Sequence, residues 1–306
     1  MEYSLYKLEF HSKVHFGRSS LETSDFFFHA DTLFSALFLE ALQSQEAEAE
    51  ALLTAAREGD LLISDAFPYI GELLYLPRPC EIYETGKKQS SREALEYLLK
   101  RSYIPLSLLD RYLSGTYPLE DEGMGLSKLG CFGTETQHPH RGGENRVYVR
   151  TFTFREGNGL YFLLGCGNED ISMRLMDLLE GLCYAGIGGR RSTLGNFSLK
   201  VVSLPPKLRD HLESPKLDGR PRMLLSAALP REEELSGALR DASYRLIRRG
   251  AFPVWENRKS HQRRDLYVFD AGSVFRTPFA GDVYDIAPGA PHPVYRFEVP
   301  LFLTLD

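Results

Sequence analysis

The sequence predicts a protein of the α+β class, and two observations indicate this. The apolar pattern of the first two-thirds follows the order β, α, β, long insertion, β, β, α, β, which resembles a ferredoxin-like fold with an insertion. After Pro205-Pro206 a second series of strand-like segments begins. We therefore expect a first domain of residues 1–204, with the insertion at about 80–146, and a second domain of residues 205–306 that is a degenerate copy of the first.

The first elements follow from periodicity and capping. Residues Tyr3 to Phe16 alternate between apolar and polar side chains, which is typical of a strand. A helix then begins at His29-Ala30-Asp31-Thr32, with Asp31 as the expected N-cap. Leu61 to Phe67 is strand-like, and the insertion that follows is predicted to be irregular apart from a helical patch near Arg92 to Lys100.

The later part of the first domain contains four predicted elements. Val147 to Phe154 and Leu160 to Gly165 are predicted strands, joined by a hairpin turn at Glu156-Gly157-Asn158-Gly159. A helix over Ile171 to Tyr184 and a strand over Phe197 to Leu204 follow. In the second domain the strand-like segments are Met223–Leu229, Ser243–Arg248, Leu266–Phe275 and His292–Leu305.

The loop between that helix and the following strand is the strongest functional signal. Gly186 to Gly195 holds four glycines and two arginines in ten residues. Nucleotide-binding loops run from a strand into a helix, whereas this one runs from a helix into a strand, so that class of enzyme is disfavoured. Unshielded amides at Gly188 and Gly189 would form an anion nest, and Arg190 or Arg191 would add a phosphate contact. The structural alternative is a C-cap at Gly186 followed by a tight turn.

Two further segments are weaker candidates for phosphate binding. The end of the first strand places His15, Phe16, Gly17 and Arg18 at a strand-to-loop junction, for which an exposed loop is the plain alternative. The start of the first helix offers His29, Asp31, Thr32 and Ser35, because helix N-termini attract phosphates. Asp31 would compete there by capping the same amides, so a purely structural role stays open.

The charge distribution indicates local rather than overall affinity for a polyanion. The net charge is −6, yet residues 240–264 carry eight Lys/Arg against two acids, while residues 40–60 carry six acids and one arginine. Such a basic region can bind a phosphate backbone, and solvated faces are the alternative for either run. No apolar run is long enough to span a bilayer, and four cysteines without paired spacing suit a reducing cytoplasm.

The sequence predicts neither a metal nor a cofactor. Cys131, His138 and His140 lack the spacing and the fourth ligand of a zinc site. The sequence contains no G-x-S-x-G, H-E-x-x-H or G-x-x-x-x-G-K-[ST] pattern, so the corresponding enzyme classes are unsupported.

A combination of short motifs carries a family resemblance over nearly the whole chain. H-F-G ends the first strand, H-A-D-T-L-F-S-A-L opens the helix, and I-S-D-A-F-P-Y, L-P-R-P, G-I-G-G-R-R-S and A-G-S-V-F follow in that order. This resembles the RAMP-superfamily subunit of type III-A CRISPR effector complexes that holds the 5′ tag of the guide RNA. One departure is visible: Thr193 and Leu194 stand where that family often has a glycine and an aromatic residue.

The resemblance implies two ferredoxin-like, RRM-related domains and a non-catalytic role in antiviral defence in the cytoplasm. The implied partners are the CRISPR RNA, the large polymerase/cyclase-like subunit and the backbone RAMP subunit, with no membrane. A protruding thumb would fall within Gly123 to Arg150. With nearby arginines added, the predicted RNA-binding residues are His15, Phe16, Gly17, Arg18, His29, Asp31, Thr32, Ser35, Arg146, Arg150, Gly186, Gly188, Gly189, Arg190, Arg191, Ser192, Arg248 and Arg249.

Two other functions remain open at this point. A RAMP endoribonuclease that processes CRISPR precursor RNA would use His15 or His29 as its general acid or base. A protein–protein adaptor would instead dock a basic partner on the acidic segment Glu46 to Glu50.

Overall fold

A large antiparallel sheet forms the centre of the computed structural model. The structure describes residues 1–17, 20–81, 102–118, 125–137, 147–191, 193–214, 219–250, 254–256, 259–261, 264–288, 290 and 292–305. The α-helices are α1 (Ala30–Ser44), α2 (Glu46–Glu58), α3 (Leu109–Leu113), α4 (Glu169–Ala185), α5 (Pro206–Glu213) and α6 (Glu232–Ala238). None of the helices in the described part of the chain is both long and apolar enough to cross a membrane.

The strands fall into one large sheet and several small ones. In the first two-thirds they are β1 (Glu2–Phe10), β2 (Leu61–Ile63), β3 (Phe67–Ile70), β4 (Leu73–Pro77), β5 (Tyr103–Pro105), β6 (Gly130–Gln137), β7 (Val147–Phe154), β8 (Asn158–Cys166) and β9 (Phe197–Val202). In the last third they are β10 (Arg222–Leu224), β11 (Leu246–Arg249), β12 (Val254–Glu256), β13 (Lys259–His261), β14 (Leu266–Phe269), β15 (Val274–Phe275), β16 (Val283–Asp285), β17 (Tyr295–Phe297) and β18 (Phe302–Thr304).

The central strand β8 explains the layered architecture. The sheet has the order β5-β4-β3-β8-β1-β9, and β2 also pairs with β8. All nine residues of β8 are buried. Because side chains alternate across a strand, Leu160 and Phe162 face α1, α2 and α4. Tyr161 and Leu163 face a second core that is shared with residues from the last third, among them Met223. The sheet is therefore a middle layer that is covered on both faces.

Most elements of the first two-thirds agree with the sequence prediction. Val147–Phe154 has the predicted bounds, and the helix before the glycine loop spans Glu169–Ala185. The antiparallel pairing of the described strands, with α1, α2 and α4 packed on one face of the large sheet, agrees with an α+β protein. The first strand ends at Phe10, and beyond it Val14 and Phe16 make only isolated bridges. The predicted strand over Leu61 to Phe67 is wrong, since it divides into β2 and β3 around Asp65.

The predicted irregular insertion contains ordered sheet. β5 joins the large sheet beside β4, and β6 pairs with β7 over eight residue pairs in a long hairpin. The prediction of irregular structure is therefore wrong for these parts, because each pairs with a strand that lies outside the insertion. The predicted helical patch at 92–100 and residues 138–146 lie outside the described residues.

The predicted long strands of the last third are broken by backbone chemistry. Gly272, with a φ of +92°, separates β14 from β15, and a Cβ there would lie 2.5 Å from the Arg78 carbonyl oxygen. Pro300 separates β17 from β18, because proline has no N–H for a strand ladder. The result is a three-stranded sheet, β15-β10-β18, and separate two-stranded pairs.

Candidate functional site

Three segments that are far apart in sequence line one open groove of about 320 Å³. They are the end of the first-strand segment, the start of α1, and the glycine loop that follows α4. The predicted residues that line it are Phe16, Gly17, His29, Thr32, Ser35, Gly186, Gly188, Gly189, Arg191 and Arg249. The structure thus brings three separately predicted segments together.

The glycine loop begins as a helix C-cap. Gly186 has a φ of +76°, and its N–H donates to the Leu182 carbonyl oxygen. The structural alternative is therefore confirmed for this glycine. Gly188 and Gly195 also have positive φ values, +99° and +81°, which favour glycine over residues with a side chain.

Close packing on the first-strand end accounts for the next two glycines. The Gly189 N–H donates to the His15 carbonyl oxygen at 2.8 Å. A Cβ at Gly189 would lie 2.6 Å from His15 Cδ2, and one at Gly188 would lie 2.8 Å from the His15 carbonyl oxygen. The prediction of an unshielded amide is therefore wrong for Gly189, since the loop uses that amide to hold itself against His15.

The arginines of the loop have different environments. Arg190 is exposed and has a φ of +61°, and Arg191 lies 3.4 Å from Glu40 with about a third of its side chain exposed. Both guanidiniums therefore have access to solvent, and Arg191 lines the groove. Ser192 lies outside the described residues, as do Arg18 and Arg146.

Asp31 is not the N-cap of α1, and the predicted cap is wrong. His29 occupies that position, and Asp31 is buried in the first turn. Its carboxylate binds Arg249 at 2.7 Å and Arg296 at 3.2 Å. Burial alone would raise the pKa of Asp31, but Arg249 and Arg296 outweigh it and lower the pKa to about 2. The carboxylate therefore orients Arg249 at the groove instead of capping the helix.

Asp65, which the sequence analysis missed, performs the capping. One carboxylate oxygen accepts the N–H of Ala30 at 2.9 Å and the N–H of Ala227 at 3.0 Å. The other lies 2.7 Å from His29 Nδ1. Asp65 stands in the segment I-S-D-A-F-P-Y, but nothing in that segment indicates that its side chain reaches a helix that begins more than thirty residues earlier.

The Asp65 contact has a chemical consequence for His29. Because a carboxylate accepts hydrogen bonds, Nδ1 is the ring nitrogen that donates, and this contact leaves Nε2 unused. His29 lines the groove. His15, the other candidate base, is buried, and its Nδ1 donates to the Arg150 carbonyl oxygen at 2.7 Å.

A cation could bind beside this contact. Ligand atoms of His29, Asp65 and Asp270 lie within 4.8 Å of one another, and a mixed N/O donor set suits divalent transition metals. Burial raises the pKa of Asp270 above its usual value, and the nearby His29 and Arg245 offset only part of that rise. Arg245 lies 3.1 Å from Asp270, so nearby groups already balance these carboxylates.

Three of the predicted arginines that the structure describes do not line the groove, namely the exposed Arg190 together with Arg150 and Arg248. Arg150 lies on β7 with its guanidinium 5.0 Å from the Phe132 ring. Arg248 lies on β11 next to Arg249, but its side chain is exposed and pairs with Asp265. Neighbouring residues of a strand point to opposite faces, which is why only Arg249 reaches the groove.

Comparison with known proteins shows similarity over the full chain. Residues 218–305 match the family described as the CRISPR Csm4 C-terminal domain. The CRISPR system Cms protein Csm4 of Mycobacterium tuberculosis H37Rv is 32% identical over 310 residues, covering 100% of this chain and 98% of the relative. The protein of that name from Streptococcus thermophilus is 32% identical over 316 residues and covers 100% of both chains.

Solved structures show the same fold at lower sequence identity. A chain of the Csm3-Csm4 subcomplex in the type III-A CRISPR-Cas interference complex superposes with a TM-score of 0.71 at 17% identity, covering 100% of both chains. A chain of the Csm1-Csm4 cassette in complex with AMPPNP has a TM-score of 0.62 at 18% identity, covering 100% of this chain and 98% of that one.

Proposed function

Because this chain belongs to the Csm4 family of CRISPR proteins, we propose that it is a non-catalytic, RNA-binding subunit of a type III-A interference complex. It holds the repeat-derived 5′ tag of the CRISPR RNA in the cytoplasm. The observation that carries this proposal is the groove, where the glycine loop, the first-strand end and the start of α1 meet with Arg191 and Arg249.

The groove suits a single RNA strand better than a free nucleotide. Its wall is formed by the glycine loop and by the half-buried Phe27, with hydroxyl groups at Thr32 and Ser35. Backbone and hydroxyl groups bind phosphate and ribose, and rings stack on bases, which is how proteins bind single-stranded RNA. The guanidiniums of Arg191 and Arg249 supply the positive charge.

The finer architecture also belongs to the proposal. We infer a ferredoxin-like first domain, because β1, α1, β3, β8, α4 and β9 follow the β-α-β-β-α-β order. The second domain is a degenerate relative, with the boundary near residue 204. The β6–β7 hairpin is the thumb. The partners are the large polymerase/cyclase-like subunit and the backbone RAMP subunit, as in the Csm1-Csm4 and Csm3-Csm4 assemblies.

The test is RNA retention by the assembled complex carrying Arg190→Ala and Arg191→Ala. We expect weaker retention and a smaller salt dependence, with the slope of log affinity against log salt reduced by about 0.7 for each lost phosphate contact. Arg174→Ala is the matched control, because that exposed arginine pairs with Glu48 outside the groove. Unchanged retention in the double variant would refute the phosphate contact.

The His29–Asp65 contact favours one alternative, an endoribonuclease. A histidine that is oriented by a carboxylate and lines a groove is an arrangement that a general base can use. The isolated protein incubated with repeat RNA and a metal chelator separates the two functions. Cleavage that is lost in His29→Ala would establish the enzyme, whereas intact RNA supports the scaffold.

A further inference from the structure

Two antiparallel strand pairs, β11–β14 and β12–β13, lie within residues 244–269, a stretch that we call the ribbon. Arg249 pairs with Leu266, and Val254 pairs with His261. Five positions separate these two residue pairs on each side, so the two strand pairs share one register. The β11–β14 pair lies at the groove, because Arg249 lines it.

The ribbon concentrates positive charge on an acidic protein. Residues 244–269 contain seven Lys/Arg and two acids, a net charge of +5, in a chain whose total is −6. The remainder of the chain therefore carries −11. A basic segment on an acidic body attracts a polyanion to that segment specifically.

The base of the ribbon exposes an aromatic and apolar face. Tyr267 and Arg248 are directly paired across the strands, so their side chains lie on the same face. Leu246 lies two residues before Arg248 on that face. Tyr267 is 63% exposed and Leu246 is 54% exposed, and Tyr244 nearby is 44% exposed. These are large exposures for apolar and aromatic side chains that are next to one another.

We propose that this face, defined by Tyr244, Leu246, Arg248 and Tyr267, is a second contact surface for single-stranded RNA that leaves the groove. The inference rests on the proposed function, because the groove holds the first part of the same strand. Tyrosine rings stack on bases of any sequence. Arg248, which is exposed and paired with Asp265, lies directly across the strands from Tyr267. The net charge of the ribbon favours a nucleic acid over a protein of ordinary surface composition.

The experiment measures binding of labelled single-stranded RNA to the full chain, with one RNA of about 4 nucleotides and one of about 12. Tyr267→Ala should weaken binding of the longer RNA between about 5-fold and about 100-fold and leave the shorter RNA unaffected. Tyr267→Phe keeps the ring and should retain the affinity. Met173→Ala is the control, because that side chain is 61% exposed near the far end of α4 from the glycine loop.

The outcomes separate this inference from the proposed function. If Tyr267→Ala leaves the longer RNA unaffected while Arg191→Ala weakens both RNAs, the ribbon contact is refuted and the groove stands. If Arg191→Ala changes neither RNA, the proposed function itself fails. Equal weakening of both RNAs by Tyr267→Ala would also refute a surface beyond the groove. Unchanged RNA binding with weaker capture of a partner subunit would show that the face binds protein.

Discussion

Replacing Asp31 by asparagine removes a negative charge from between two largely buried arginines. The side chains of Arg249 and Arg296 are 20% and 10% exposed, and both bind the Asp31 carboxylate. Asparagine keeps the volume of the side chain, so the substitution tests charge and not packing. Removing one partner of a buried ion pair typically costs about 3–5 kcal/mol, because the remaining charge is left without compensation.

The pH dependence of stability gives a second measure of what the Asp31 carboxylate contributes. The pKa of Asp31 is about 2 in the folded protein against 3.8 for the free group. A group with a lowered pKa stabilises the fold fully above its unfolded pKa, which corresponds here to about 2.5 kcal/mol at neutral pH. That contribution is lost as the pH falls from about 4 towards 2. The difference between wild type and Asp31→Asn should therefore shrink in acid.

Urea unfolding followed by fluorescence at pH 7, 5, 4 and 3 measures both effects. We expect Asp31→Asn to lose about 3 kcal/mol at pH 7 and less at pH 3. Arg174→Gln breaks an exposed ion pair with Glu48 and should leave the midpoint nearly unchanged. A loss below about 1 kcal/mol at pH 7, or a difference that stays constant down to pH 3, would refute the role assigned to Asp31.

Three further predictions concern single groups. Glu298 is fully buried, and burial raises its pKa well above the usual range. Wild type should therefore lose stability relative to Glu298→Gln as the pH rises above 4.5. Unfolding of both proteins at pH 4 and at pH 8 measures this difference. Gly195→Ala would place a Cβ 2.2 Å from the Ile187 carbonyl oxygen and should weaken RNA retention, whereas Gly219→Ala has the same sign of φ and open space and should not. Asn168→Ala removes the side-chain cap of α4 and should lower the free energy of unfolding by about 1 kcal/mol, while Asn168→Ser should restore most of it.

Local sequence patterns predicted those helices and strands whose structure depends on their own residues. Val147–Phe154 alternates, and the segment before Gly186 has a helical period and a glycine to end it, so both were predicted close to their bounds. Helix α2 was missed, because its many acids were interpreted as a charged face. The strands of the last third were predicted too long. The break between β14 and β15 at Gly272 depends on the close approach of the Arg78 carbonyl oxygen, and the local sequence does not show this contact between distant residues.

The candidate site also has some features that the local sequence predicts and others that it does not. Its ingredients, the glycines, Arg191 and His29, were identified from residue type and spacing, because such chemistry belongs to the side chains themselves. Asp65 was missed, and Asp31 was given the cap that Asp65 provides, because a local N-cap rule considers only nearby side chains.

The sequence by itself determined that a glycine- and arginine-rich loop lies between a helix and a strand, and which residues in three segments suit RNA. The tertiary structure decided that these segments share one groove, that the Gly189 amide is used by His15, and that Arg249 reaches the groove through Asp31. The physical reason is that β1 pairs with β8 and β9, more than 150 residues later, and this pairing brings His15 to the glycine loop. Periodicity encodes which face of an element is buried, but the contacts that close the groove depend on how distant elements pack.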